Sequence, residues 1–126
     1  QLLIIKILMI GLQILSLPFE LISLIYQYSL SKPKTFKSIL ITGASSGIGL
    51  QFALEMSKQK PSPRLVLVSR RLDKLKSAQQ QCIKNGCKTV EIYSCDVTDK
   101  DKMKQILEEC DNKQPYFDLI SANAGY

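Results

Sequence analysis

The chain is 126 residues long, 45% hydrophobic and 22% charged, with a formal net charge of +6. Its basic residues are dispersed among acids, as in Arg70-Arg71-Leu72-Asp73-Lys74, with no basic block and no interleaved aromatics, which argues against a nucleic-acid surface. Four cysteines without a C-x-x-C pair, and no histidine, argue against a zinc site or a disulfide framework and leave reduced, mostly buried thiols as the expectation.

Residues 2–30 carry only two charges, Lys6 and Glu20. A helix needs about 20 apolar residues to cross a bilayer core, so the run is long enough to span. Pro18 and Glu20 interrupt it, which allows either a kinked helix or a re-entrant or interfacial hairpin with residues 2–17 and 19–30 as its arms. Tyr26 and Tyr28 stand near the exit, where aromatic side chains favour the headgroup zone. A cleaved signal peptide would have an apolar region of only about 7–15 residues, and Ser29-x-Ser31 is a weak cleavage match. A buried helix of a soluble protein would show a polar face, which this run lacks. Residues 1–31 are therefore read as a hydrophobic, membrane-associated segment. Lys32, Lys34 and Lys37 follow it, against Lys6 on the other side, so the positive-inside rule places the next domain in the cytosol. Residues 32–37, with Pro33, read as a linker, and roughly ninety residues remain for a soluble part, short for a complete doubly wound sheet.

The soluble part, residues 38–126, is organised around Thr42-Gly43-Ala44-Ser45-Ser46-Gly47-Ile48-Gly49. This stretch follows the apolar run Ser38-Ile39-Leu40-Ile41 and opens a helical pattern in which Ile48, Phe52 and Met56 recur every four residues. Strand, glycine-rich turn and helix in succession suit a dinucleotide site. Glycine permits the tight turn, lets backbone approach a phosphate and lets the helix pack hard on the strand. The helix start then aims free N–H groups and its positive dipole end at an anion.

The helix should run to about Lys58, after which Pro61 and Pro63 punctuate a loop. Leu65-Val66-Leu67-Val68 is a continuous apolar run, as in a strand buried on both faces of a parallel sheet. Leu72, Leu75, Gln79, Cys82 and Ile83 follow helical spacing, and Asn85-Gly86 supplies a stop. Residues 89–94 read as a third strand. Asp99 is the expected cap of a third helix lined by Met103, Ile106, Leu107 and Cys110. Pro115 ends that connection, and residues 117–121 make a fourth strand. The alternation β-α-β-α-β-α-β specifies an α/β fold, the N-terminal part of a Rossmann-type doubly wound parallel sheet, preceded by the hydrophobic helical anchor.

About twenty residues past the glycine loop, a dinucleotide site selects its cofactor: an acid binds the ribose 2′-hydroxyl of NAD, whereas arginine accommodates the 2′-phosphate of NADP. Here Ser69-Arg70-Arg71 ends the second strand. A guanidinium presents a fork of donors matched to phosphate oxygens, so Arg70 and Arg71 are the candidate clamp and NADP is expected over NAD. The alternative is a pair of exposed arginines opening a helix, slightly against its dipole.

Three motifs, T-G-x-x-x-G-x-G at residues 42–49, Asp96-Val97-Thr98 after the third strand and Asn123-Ala124-Gly125 after the fourth, together resemble the short-chain dehydrogenase/reductase family in order and spacing. The resemblance implies that Gly43, Ser45, Ser46, Gly47, Ile48 and Gly49 frame the pyrophosphate and adjacent ribose. It implies that Asp96 accepts from the adenine amino group and that Val97 offers its N–H. Asn123, Ala124 and Gly125 would pack beside the adenosine ribose and stiffen the central strand. From the residues alone, Asp96 is equally a turn cap and Asn123 a turn residue. The family's catalytic serine and Tyr-x-x-x-Lys pair lie downstream of N-A-G, so the chain is expected to be an N-terminal fragment without catalytic residues, and Tyr126 is not one of them.

Within the family the layout resembles 11β-hydroxysteroid-dehydrogenase-like enzymes and 3-ketodihydrosphingosine reductases, the former somewhat more. That implies reversible hydride transfer between the nicotinamide of NADP and a carbonyl or secondary alcohol of a lipophilic small molecule. The expected setting is the endoplasmic reticulum membrane, with a homodimer in the full-length protein. The competing class is a non-catalytic nucleotide-binding or regulatory module ending at Tyr126.

Overall fold

A computed structural model describes residues 1–15, 19–30 and 34–124, and the chain divides into two compact units, Gln1–Lys34 and Thr35–Tyr126. In the first unit the apolar run forms two helices, α1 (Leu2–Leu15) and α2 (Phe19–Leu30), of 14 and 12 residues. Pro18, Ser31, Lys32 and Pro33 lie outside the described residues. Among the described residues no helix is long and apolar enough to cross a membrane, so the expected spanning helix is not shown. At about 1.5 Å per residue, neither helix matches a hydrocarbon layer of about 30 Å. Eight apolar side chains between Leu2 and Ile10 are each 57–75% exposed. Because successive helical residues step around the axis, this leaves no polar face.

The second unit holds one parallel sheet in the order β3-β2-β1-β4, with β1 (Ser38–Thr42), β2 (Arg64–Ser69), β3 (Thr89–Ser94) and β4 (Leu119–Ala122). Helices α3 (Gly47–Ser57), α4 (Leu72–Lys84) and α5 (Lys100–Asp111) make the crossovers. From β1 the chain builds outward to β2 and β3, then returns to lay β4 on the other side of β1. Ligands of such sheets bind beyond the carboxyl ends of the strands, where the order reverses.

Every residue of β1 and β2 is buried, as central strands covered on both faces require. Strand alternation sorts their side chains into two cores. Ile39, Ile41, Leu65 and Leu67 pack with Ala53, Leu75, Ala78 and Cys82 of α3 and α4, while Leu40, Val66 and Val68 pack with Ile106 and Cys110 of α5. All four cysteines are buried thiols, and burial pushes Cys82 up to about 11.

Local signals place the helix ends. Asp99 caps α5 by accepting the Lys102 N–H at 3.1 Å. Gly86, at φ +101°, ends α4: its N–H donates to the Ile83 carbonyl and the Cys87 N–H to the Cys82 carbonyl, the Schellman pattern.

Three details depart from the sequence pattern. The face of α3 that is fully buried is Gly49, Ala53 and Ser57, one position beyond Ile48, Phe52 and Met56, and Ile48 is 80% exposed. Small residues let this helix approach closely: a Cβ on Gly49 would collide with the Gly43 carbonyl oxygen. On α4 the buried stripe is Leu75, Ala78 and Cys82, leaving Leu72 and Ile83 exposed. Strand β4 begins at Leu119 rather than 117. Phe117 instead lies under the Arg64 guanidinium, 5.3 Å from its ring centre, and the Asp118 carboxylate accepts the Lys37 and Ser38 N–H groups at 2.8 and 3.0 Å.

Strand β2 also starts one residue earlier than its apolar run, with a buried arginine. The Arg64 side chain is 4% exposed; its Nε donates to Glu91 Oε1 at 2.8 Å, and its Nη1 to the carbonyls of Cys110, Lys113 and Pro115 at 3.2, 3.4 and 3.3 Å. Lys113 Nζ lies 2.9 Å from Glu91 Oε2 and 3.4 Å from Glu109 Oε1. Desolvation pushes the Glu91 carboxyl up, but hydrogen bonds from Arg64 and Lys113 outweigh it and hold it at about 2. The network ties the end of α5, and the segment leading into β4, to the amino-terminal edge of the sheet.

Candidate functional site

At the opposite edge, β1 delivers the chain into the glycine loop. Gly43 has φ +67°, and a Cβ there would come within 2.7 Å of the Asn123 carbonyl oxygen and 2.8 Å of the Ala124 nitrogen. Only glycine meets both constraints, so the loop and the N-A-G element, distant in sequence, share one contact. Thr42 Oγ1 adds to it by accepting the Asn123 N–H at 3.2 Å. Gly47 has φ +57° and opens α3, with nothing within 4 Å of where its Cβ would stand. Ser46 occupies the cap position in extended backbone without a side-chain cap hydrogen bond. The first N–H groups of α3 are thus not claimed by the Ser46 side chain, the arrangement that binds anions.

The Ser46 hydroxyl turns to the second strand instead, accepting from Arg71 Nη2 at 3.0 Å. One residue back, Ser69 Oγ donates to Ser45 Oγ at 2.6 Å, both residues being buried. Arg70 takes the other direction. Its Nη1 lies 4.0 Å from Asp96 Oδ2 with both side chains well exposed, an ion pair of little energetic weight. Asp96 Oδ1 accepts the Thr98 N–H at 3.0 Å and the Thr98 hydroxyl at 2.8 Å. Those bonds, the backbone one foremost, hold its carboxyl below the usual range, with the Arg70 charge assisting. Asp96 therefore does cap its turn while lining the cavity described next.

Four strand ends surround a cavity of about 840 Å³. The glycine loop contributes Gly43, Ser45, Ser46, Gly47 and Ile48; the end of β2 and the residues after it contribute Ser69, Arg70 and Arg71; the segment after β3 contributes Cys95, Asp96, Val97 and Thr98; the segment after β4 contributes Asn123 and Ala124. Gly49 stands behind the wall, packed on the Gly43 backbone. Gly125 lies outside the described residues. The motifs did not single out Ser69 or Cys95 as lining residues, nor Thr98, whose D-V-T motif was the available signal. Ser69 was signalled only by its place before the arginine pair. Burial pushes the Cys95 thiol up, which leaves it an apolar wall element rather than a nucleophile. The cavity thus joins hydroxyls, guanidinium groups and open helix N–H groups to a carboxylate, a set suited to a long polar anion.

The family model for short chain dehydrogenase matches residues 37–126. An 11-beta-hydroxysteroid dehydrogenase of Pinus massoniana is 37% identical over 89 residues, covering 71% of this chain and 24% of that protein. A 3-ketodihydrosphingosine reductase of Dictyostelium discoideum is 30% identical over 105 residues, 74% of this chain and 31% of that protein. The chain therefore spans about a quarter to a third of the length of these relatives. Among solved structures, L-sorbose reductase from Gluconobacter frateurii, complexed with NADPH and L-sorbose, superposes with TM-score 0.63 at 32% identity, covering 71% of this chain and 34% of that one. An NAD+-bound xylitol dehydrogenase superposes with TM-score 0.65 at 27% identity over the same shares, 71% and 34%. With its strand order, its glycine loop and a family match over residues 37–126, this chain belongs to the short-chain dehydrogenase/reductase family.

Proposed function

We propose that residues 38–126 form the cofactor-binding part of an NADP-dependent oxidoreductase, one that transfers hydride between nicotinamide and a carbonyl or secondary alcohol of a lipophilic small molecule. The observation that carries this is the convergence on one cavity of an uncapped helix start, two positive-φ glycines, an arginine tethered to the loop and a carboxylate. The residues fit a dinucleotide phosphate. The helix start at Gly47 has open space where a side chain would stand, so backbone N–H groups there would hold the pyrophosphate. Arg71 with Ser46 would hold the 2′-phosphate, backed by Arg70, and Asp96 and Val97 would meet the adenine. Asn123 and Ala124, with Gly125 after them, would pack beside the adenosine ribose.

When bound, the nicotinamide supplies or takes up the hydride. This chain's own residues bind and orient; Ile48, exposed at the cavity, offers apolar surface beside the loop. Proton transfer to the substrate oxygen falls to a serine and a Tyr-x-x-x-Lys pair outside these 126 residues. Relatives named for steroid and sphingoid substrates support the lipophilic class. So does the proposed membrane association of residues 1–31, where α1 exposes eight apolar side chains between Leu2 and Ile10. The endoplasmic reticulum is the proposed membrane.

The test uses the full-length protein. Arg70→Asp combined with Arg71→Ala should weaken NADPH binding far more than NADH binding. Equal losses for the two cofactors would defeat the clamp.

A further inference from the structure

The end of β2 meets the glycine loop through a closed set of side-chain contacts. Ser69 Oγ donates to Ser45 Oγ at 2.6 Å, with the two residues 8% and 7% exposed. The Arg71 N–H faces the same Ser69 oxygen at 3.5 Å, and the Arg71 guanidinium donates to Ser46 Oγ at 3.0 Å. Ser45 and Ser46 are neighbours in the loop, and Ser69 and Arg71 flank one residue at the strand end. The contacts therefore form a ring, loop to strand end and back. Arg70, the residue between, stays outside it, 73% exposed with Asp96 4.0 Å away.

Two backbone bonds hold the same region independently: the Ala44 N–H to the Val68 carbonyl at 3.4 Å, and the Cys95 N–H to the Ser69 carbonyl at 2.9 Å. Loss of the serine pair therefore leaves the strand end attached to the loop through backbone alone and removes the side-chain link at Ser69, two residues before Arg71. A guanidinium on a flexible stem loses rotamer freedom when it meets an anion, and presetting it beside its binding partner lowers that cost.

We propose that Ser69 is a positioning residue for cofactor choice: through its bond to Ser45 it holds the end of β2 against the glycine loop, so that Arg71 stands preset beside Ser46 where the 2′-phosphate binds. This rests on the NADP-binding function proposed above. NADH has no 2′-phosphate and makes no use of Arg71, so the effect of the ring falls on NADPH alone.

Dissociation constants for NADPH and NADH, measured on the full-length protein with Ser69→Ala, Ser45→Ala, both together, and Arg71→Ala, test this directly. Ser69→Ala should weaken NADPH by about 3- to 10-fold, the worth of one hydrogen bond, and NADH by less than about twofold. Ser45→Ala removes the same bond from the other side; because Ser45 also lines the loop that frames the pyrophosphate, its readout is the NADPH-to-NADH ratio, which should fall by the same factor of about 3- to 10-fold, and it keeps the test open where Ser69→Ala fails to fold. The double variant should lose no more of the NADPH preference than either single one. Equal weakening of both cofactors in the two serine variants marks a merely structural pair and overturns the positioning role. A collapsed NADPH preference in Arg71→Ala alongside an intact one in the serine variants also overturns it, while leaving the clamp standing. An unchanged preference in Arg71→Ala overturns Arg71 as the clamp, and with it the positioning role of Ser69; an unchanged preference in Arg70→Asp with Arg71→Ala overturns the NADP-binding function itself.

Discussion

The two edges of the sheet use arginine for opposite ends. At the amino-terminal edge Arg64 is buried and held by Glu91 and three carbonyls, and Glu91 in turn holds Lys113. At the carboxyl edge Arg71 makes one side-chain hydrogen bond among the described residues, to a serine hydroxyl, and Arg70 faces Asp96 across 4.0 Å of exposed space. A guanidinium taken out of water draws on acceptors inside the protein, as Arg64 does through Nε and Nη1 while its buried Nη2 has no hydrogen-bond partner among the described residues, and one left beside an uncapped helix start keeps donors for a ligand. Residue type does not separate structural from functional arginines here; the state of their donors does.

Breaking the carboxyl edge at its backbone should have the largest effect. Gly43→Ala forces a Cβ onto the Asn123 carbonyl at a positive φ, so a loss of about 3 kcal/mol or more and abolished NADPH binding are expected, read by denaturant unfolding and titration. At the other edge Arg64→Ala leaves Glu91 and three carbonyls short of their donor. It should cost about 3 kcal/mol of stability with NADPH affinity of the folded protein unchanged. A fall in affinity without a fall in stability would show the two edges not to be separate devices.

Acid titration sharpens the same contrast. The Glu91 carboxyl is depressed to about 2 from an ordinary 4.5, so its stabilisation is present above about pH 4.5 and is lost as pH falls toward 2. Glu91→Gln should remove on the order of 2 kcal/mol of that pH-dependence, measured as unfolding free energy against pH. Next, Arg71→Ala should weaken NADPH about 10-fold or more by removing a charge-assisted contact, with NADH little changed. Arg70→Ala, whose side chain is 73% exposed, should change NADPH binding by no more than about threefold. Reversed magnitudes for the two arginines would exchange their roles.

Features written in neighbouring residues were legible in the sequence. Asp99 announces a cap, Asn85-Gly86 a helix end and Leu65-Val66-Leu67-Val68 a doubly covered strand, because each depends on groups only a few positions away. Most of the motif residues meet at one cavity because each motif occupies one strand end. Arg64 was not legible, because its burial depends on Glu91 and on carbonyls at the end of α5, far along the chain. The face of α3 was misjudged because Gly49 matters through the side chain it lacks, which no hydrophobic pattern registers. For the apolar leader, hydropathy left a kinked helix and a two-armed hairpin open, and the described residues make two helices, Leu2–Leu15 and Phe19–Leu30, within the arms 2–17 and 19–30.

The most direct measurement is a paired titration of the full-length protein with NADPH and with NADH under one buffer and salt. Binding of NADPH at least about 10-fold tighter than NADH is expected from a site with Arg71 set beside Ser46. NADH bound as tightly or more tightly would contradict the 2′-phosphate clamp, and binding of neither would contradict a dinucleotide site at the carboxyl edge.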